Sequence, residues 1–213
     1  MSNHICGLNS KTGEGVFDTS GLRALCDMLH TNVTIRVVNL SHNRLQKRAT
    51  DASEEDLASI IALAEMMVVN RTIKYLDLNS TGLGPASCQA IADGILQNPV
   101  LTQCDFSNNA IGVKGAECLY NVFSSANKPY TGVGSKNSTL EHWFLATGIR
   151  IPFGALRKSQ LTTLNLSSQM LDESHLMVLT AALSLTHALT SLDISSNCFM
   201  GLTKGWRGWR GEY

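Results

Sequence analysis

The strongest constraint on this chain is an eleven-residue pattern that recurs along it. It reads IRVVNLSHNRL from Ile35, IKYLDLNSTGL from Ile73, LTQCDFSNNAI from Leu101, LTTLNLSSQML from Leu161 and LTSLDISSNCF from Leu189. Apolar residues fill positions 1, 4, 6 and 11, and the alternation around positions 4 to 6 has the period of a half-buried strand. Asn43, Asn109 and Asn197 stand at position 9, where Thr81 and Gln169 replace them in the other two copies. A partial sixth copy, LEHWFLATGIR, keeps Leu140, Trp143 and Leu145 but has Gly148 and Arg150 at the last two motif positions. So short a unit cannot bury its own apolar face. Its repetition predicts an array in which neighbouring units bury one another.

Helical patterns separate the copies. GPASCQAIADGILQN brings Ala86, Ile91, Ile95 and Leu96 near one face, and DESHLMVLTAALSLT does the same with Leu176, Leu179, Ala182 and Leu183. Ser53 to Asp56 forms an S-x-x-D capping signature ahead of LASIIALAEMMVV. Ile73 to Leu101 spans 28 residues, as does Leu161 to Leu189.

The L-x-x-L-x-L-x-x-N-x-L motif resembles that of the leucine-rich repeat family over about residues 20–200. The 28-residue period with a full helix resembles its ribonuclease-inhibitor-like subtype. That subtype also occurs in innate-immune receptors, Ran GTPase activators, tropomodulins and axonemal proteins. The resemblance implies an α/β solenoid of about six repeats, curved, with parallel strands on the concave face and helices on the convex face. It further implies that the position-9 side chains bond backbone groups of neighbouring turns. The expected division is an N-terminal segment or cap over 1–19, repeats over 20–199 and a Trp/Arg/Gly-rich tail over 200–213.

Three spacings break the period: 38 residues from Ile35 to Ile73, 39 from Leu101 to Leu140 and 21 from Leu140 to Leu161. The excess falls at Gln46 to Ser53 and in the Gly/Ser/Asn-rich stretch from Ser124 to Asn137, which reads as a loop. Pro152 and Gly154 leave room for only a short helix in the fourth unit, so irregular turns are expected on either side of it.

Composition narrows the function classes. Seventeen basic residues balance seventeen acidic ones, so no net field draws nucleic acid or an anionic membrane. No apolar run reaches the roughly 18 residues a membrane helix needs, and the first residues lack the apolar core of a signal peptide. The six cysteines are scattered without C-x-x-C and read as reduced thiols of a cytoplasmic protein. The sequence contains no P-loop, complete dinucleotide fingerprint, H-E-x-x-H or G-x-S-x-G, and its six histidines have no paired ligand spacing. The expectation is a non-enzyme with no cofactor, no metal and no small-molecule substrate.

Strand alternation assigns positions 3, 5 and 7 to the open face of the sheet. Position 5 gives Asn39, Asp77, Asp105, Phe144, Asn165 and Asp193, a mildly acidic stripe with one aromatic. Ser41, Asn79 and Ser107 follow at position 7 of the first three copies. The candidate protein-binding set is Tyr75, Asp77, Gln103, Asp105, His142 and Phe144. Large rings on an open sheet lose little entropy on binding. The tail offers Trp206, Arg207, Trp209 and Arg210 as either a cap on the last repeat or a docking element.

The expected role is an interaction module or scaffold with one or more protein partners, within an intracellular assembly. Family analogy favours a cytoskeletal or axonemal (flagellar) one. The alternative is a regulatory inhibitor or GTPase-activator-like protein acting on one enzyme.

Asn32, Asn70 and Asn137 open N-x-T sequons three residues before a strand's first aliphatic, and Asn98 matches them in place. They read as helix-to-strand joints, where asparagine tolerates the left-handed backbone, rather than as glycan acceptors.

Overall fold

The computed structural model describes residues 4–9, 12, 14–47, 54–125, 140–146, 149–184 and 186–199. Helices and short strands alternate. They are α1 (Ser20–Thr31), β1 (Val37–Asn39), α2 (Glu54–Val69), β2 (Tyr75–Asp77), α3 (Pro85–Gln97), β3 (Gln103–Asp105) and α4 (Gly112–Ser125). After these come β4 (His142–Ala146), β5 (Ile149–Ile151), α5 (Phe153–Arg157), β6 (Thr163–Asn165), α6 (Glu173–Leu183) and β7 (Ser191–Asp193).

Strands β1 to β4 pair in parallel and in sequence order, and β6 pairs in parallel with β7. The motif explains why. Position-4 and position-6 residues of adjoining copies (Val38, Leu40, Leu76, Leu78, Cys104 and Phe106) are all buried between the strands and the helix layer. Each buried aliphatic side chain contributes about 1.5–3 kcal/mol, so a three-residue strand is held by its neighbours rather than by its own propensity.

The parallel ladder does not continue through the whole chain, as the repeat pattern had suggested. Beside β4 lies β5, antiparallel to it, so β6 and β7 form a separate pair. The 21-residue spacing is too short for a full crossover helix, and the chain instead doubles back before the five-residue α5. The helix layer bridges this gap, because α4 packs directly against α6.

Two polar ladders tie successive units together. In the first, Asn109 Nδ2 donates to Leu78 O (2.7 Å) while its Oδ1 accepts from Thr81 N (3.0 Å) and Leu83 N (3.1 Å). Asn197 repeats this toward Leu166 O, Gln169 N and Leu171 N. Asn43 bonds only within its own turn, and its buried Oδ1 has no partner. Thr81 takes part through its hydroxyl, donated to Leu78 O, whereas the Gln169 amide reaches only Ser167 O.

The second ladder runs through the helix-to-strand joints. Asn70 Nδ2 donates to Leu29 O (2.7 Å), and its Oδ1 accepts from Thr72 N and Ile73 N. Asn98 does the same with Met67 O (2.6 Å), Val100 N and Leu101 N. Asn32 and Asn98 are extended, at φ −72° and −84°, so the expected left-handed backbone is absent at these joints. Asparagine stands there for its side chain. Left-handed backbone recurs instead at position 8 of the motif, at His42, Ser80, Asn108, Ser168 and Ser196, and is found also at Ser159 and Met170. Asn70 is 2% exposed and Asn98 is buried, so neither amide is open to modification in the folded chain. Asn137 lies outside the described residues, as do Ser53, Gly148 and most of the 124–137 loop.

Helix faces follow the sequence with one correction. The buried side of α3 comprises Ser87, Cys88, Ile91, Ala92, Gly94 and Ile95, while Ala86 is exposed. Helices α2 and α3 approach closely at Gly94, where an added Cβ would lie 2.9 Å from Ala64 O. Cysteines 6, 26, 88 and 104 are buried free thiols.

Candidate functional site

Register brings the six sequence-chosen positions into two rows on one side of the sheet. Val37, Tyr75, Gln103 and His142 form the first row, and Asn39, Asp77, Asp105 and Phe144 the second. Phe144 is placed by its backbone pairing, and its side chain lies outside the described atoms. The intervening residues Val38, Leu76 and Cys104 are buried, whereas Val37 and Asn39 are exposed and Tyr75, Asp77, Gln103 and Asp105 are half-buried. The predicted six-residue stripe is divided, however. Asn165 and Asp193 form their own pair in the second sheet.

Position 5 has a structural duty common to both sheets. Its side-chain oxygen accepts the backbone N–H two residues on, closing the turn that ends the strand. The pairs are Asn39 with Ser41 (2.8 Å), Asp77 with Asn79 (3.0 Å), Asp105 with Ser107 (2.8 Å), Asn165 with Ser167 (2.9 Å) and Asp193 with Ser195 (3.0 Å). Asn39 and Asn165 perform it without charge. The negative charges at Asp77 and Asp105 are therefore surplus to the turn.

That surplus carries an electrostatic cost. Burial raises the Asp105 carboxyl above its ordinary range, hydrogen bonds from Ser107 oppose the rise, and neighbouring Asp77 adds to it. Burial, then the charges of Asp77 and Asp105, push the Tyr75 phenol up to about 12. Tyr75 thus keeps its proton and presents a hydroxyl beside two carboxylates. Burial and then Arg150 lower the His142 imidazole, whose buried Nδ1 has no hydrogen-bond partner. The ring ends the first row.

Two features of this face escaped the periodicity argument. Ser107, expected on the open face, is buried: Asn79 Nδ2 donates to its hydroxyl, which donates in turn to Asp105 Oδ1. Arg150, which had read as a degenerate core position, is exposed on β5 and pairs with Phe144. The only sequence signal for it was a charge where the motif wants leucine. It gives the acidic face a cationic edge.

Among the described residues, no group of three His, Cys, Asp or Glu side chains is arranged to hold a metal ion, and no helix is long and apolar enough to cross a membrane. Trp206, Arg207, Trp209 and Arg210 lie outside the described residues.

Comparison with known proteins agrees with this geometry. The family model described as Leucine Rich repeat matches residues 69–92 and 97–119, from the end of α2 through β2 and α3 to β3 and α4. The solved structure titled Leiomodin-1 Actin-Binding Site 2 (ABS2) is similar at TM-score 0.51 and 19% identity, over 86% of this chain and 79% of that one. A tropomodulin C-terminal domain from Caenorhabditis elegans aligns at TM-score 0.46 and 15% identity, over 82% of each chain. At 19% identity the likeness to the leiomodin structure is one of fold. No curated protein matches the sequence.

Proposed function

We propose that this chain, a leucine-rich repeat protein, is a non-catalytic interaction module whose open sheet face binds an extended protein segment. In this reading the units form a curved solenoid of about six ribonuclease-inhibitor-like repeats. Tyr75, Asp77, Gln103, Asp105, His142 and Phe144 line its inner face. The observation that carries the reading is the paired charge at Asp77 and Asp105. The strand-exit turn needs an acceptor oxygen and not a carboxylate, since Asn39 fills the same role. A lysine or arginine of the partner seated between the two carboxylates would recover their electrostatic cost, with Tyr75 and Phe144 gripping apolar side chains on either side. Arg150 at the edge sets a polarity across the strip and so favours one orientation of the bound segment.

The assembly we favour is an intracellular cytoskeletal one, such as an actin-based or axonemal structure. Its support is the fold shared with a structure named as an actin-binding site. No step of this role requires a cofactor or nucleic acid. The test is affinity capture from a lysate of the source cells with the wild-type chain and with Tyr75→Ala/Phe144→Ala, read by mass spectrometry. The expected result is a set of structural-complex proteins held by the wild type and lost in the variant, with equal melting temperatures for the two chains. Stoichiometric capture of one enzyme whose rate changes on binding would replace the scaffold reading with that of a regulator.

A further inference from the structure

We propose that the outer helical surface carries a second docking site, centred on α2, for an amphipathic helix of a partner protein with an apolar stripe flanked by lysine or arginine. Helix α2 is apolar nearly all round. Ile60, Leu63, Met66 and Met67 are buried against the core. The outward positions Ala58, Ile61, Ala62, Glu65, Val68 and Val69 recur at three- and four-residue steps, so they form one continuous stripe along the helix. Ile61 and Val69 are 45% and 44% exposed. A helix face turned to water is ordinarily polar; here one charge, Glu65, interrupts five apolar side chains.

Grooves flank this stripe on both sides. Between α1 and α2 lies one of about 460 Å³, with Ala62, Met66 and Val69 on its apolar side and Asp27, His30 and Glu65 among its polar lining. Between α2 and α3 lies a second, of about 250 Å³, where Gly94 faces Ala64 and removes a side chain from the floor. Glu65 lines both, and Asp93 closes the charged set. Among the described residues, no lysine or arginine lines either groove. Three carboxylates, one from each helix, therefore stand around an apolar ridge.

This combination selects the occupant. Carboxylates repel nucleic acid and an anionic membrane surface, and the apolar ridge offers little to a wholly hydrophilic cation. A helix with apolar residues at three- and four-residue spacing would lay them into the grooves on either side of Ile61. Its basic flanks would meet Asp27, Glu65 and Asp93. The site is on the opposite side of the sheet from Tyr75 and Asp105 and is independent of that face. Together the two would let one chain join two partners.

The test uses the full chain and a fluorescein-labelled synthetic helix with leucine and lysine at amphipathic spacing, followed by anisotropy. Its control is the same peptide with glutamate in place of lysine. Saturable binding of the lysine peptide is expected, weakened about tenfold by Ile61→Gln and by Glu65→Lys. The glutamate peptide should not bind, and Tyr75→Ala should leave the lysine peptide's affinity unchanged. Both substituted side chains are exposed, and thermal melts check that each variant is folded; should Ile61→Gln fail to fold, Glu65→Lys decides alone. Absence of saturable binding, equal binding of both peptides, or insensitivity to Glu65→Lys would overturn the proposal. So would self-association in sedimentation that Ile61→Gln abolishes, which would assign the ridge to a second copy of the chain.

Discussion

Asp77 and Asp105 occupy paired positions on β2 and β3, two carboxylates side by side on the open face of a parallel sheet. Both oxygens that close the local turns would be present in asparagine, so the pair is dispensable for folding and costly to it. Asp105→Asn keeps the acceptor for Ser107 and removes the like-charge contact. The Asp105 carboxyl is raised in the folded chain, so its contribution to stability is present at low pH and lost as pH rises through the folded value. The variant should therefore melt higher than the wild type at neutral pH. The gap should close as pH falls into the ordinary carboxylate range and below. Urea melts across a pH series check this, and a variant less stable at pH 7 would remove the argument that the charge is held for binding.

Asn98 distinguishes two explanations of the helix-to-strand joint. If asparagine stood there for its backbone freedom, Asn98→Gly would be harmless. The extended backbone and the three bonds to Met67 O, Val100 N and Leu101 N assign the role to the amide. Removing it leaves buried groups without partners, each worth about 1–3 kcal/mol. Both Asn98→Ala and Asn98→Gly should thus lose at least about 2 kcal/mol in denaturant melts, with glycine giving no rescue.

What could be read from the sequence is what depends on period. Positions 4, 6 and 11 predicted Leu76, Leu78 and Leu83, which are fully buried. Strand parity alone placed Tyr75, Asp77, Gln103, Asp105 and His142 on one face. The hairpin of β4 and β5 has no period to betray it. It arises where a unit is too short for its helix, and it is what turns Arg150 from a failed core residue into the edge of the open sheet face. Ser107 was misplaced because it is buried and takes a hydrogen bond from the Asn79 side chain of the preceding unit, a contact that spacing along one strand does not encode.

The left-handed backbone at position 8 gives a stability gain that requires no new contact. Ser168 and Ser196 hold φ of 56° and 57° on exposed turns. L-residues are strained there, and glycine is not. Ser168→Gly and Ser196→Gly should each stabilise the chain by about 0.5–1 kcal/mol. Ser167→Gly, one residue earlier, should instead destabilise it, since Ser167 donates its hydroxyl to Asn165 Oδ1 and its neighbour, not itself, carries the strain. Calorimetric melts of the three variants separate the positions.

Asp172 offers the opposite pH signature to Asp105 within the same molecule. It caps α6, its Oδ1 accepting from His175 N (3.1 Å) and from the Ser174 hydroxyl (2.6 Å). Burial alone would raise this carboxyl, but the His175 and Ser174 hydrogen bonds overcome it and hold the group well below the carboxylate range. A depressed carboxyl stabilises the fold above its unfolded value and loses that contribution as pH falls through the folded one. Asp172→Ala should therefore cost about 1 kcal/mol at neutral pH. Its deficit against the wild type should shrink in acid, where the wild-type cap is itself protonated. Asp172→Asn, still a good cap, should recover most of the loss at pH 7 while flattening the pH dependence. Melts of the two variants from neutral to strongly acid pH check the sign, and a deficit that grew in acid would mean that the carboxylate is not what stabilises the helix.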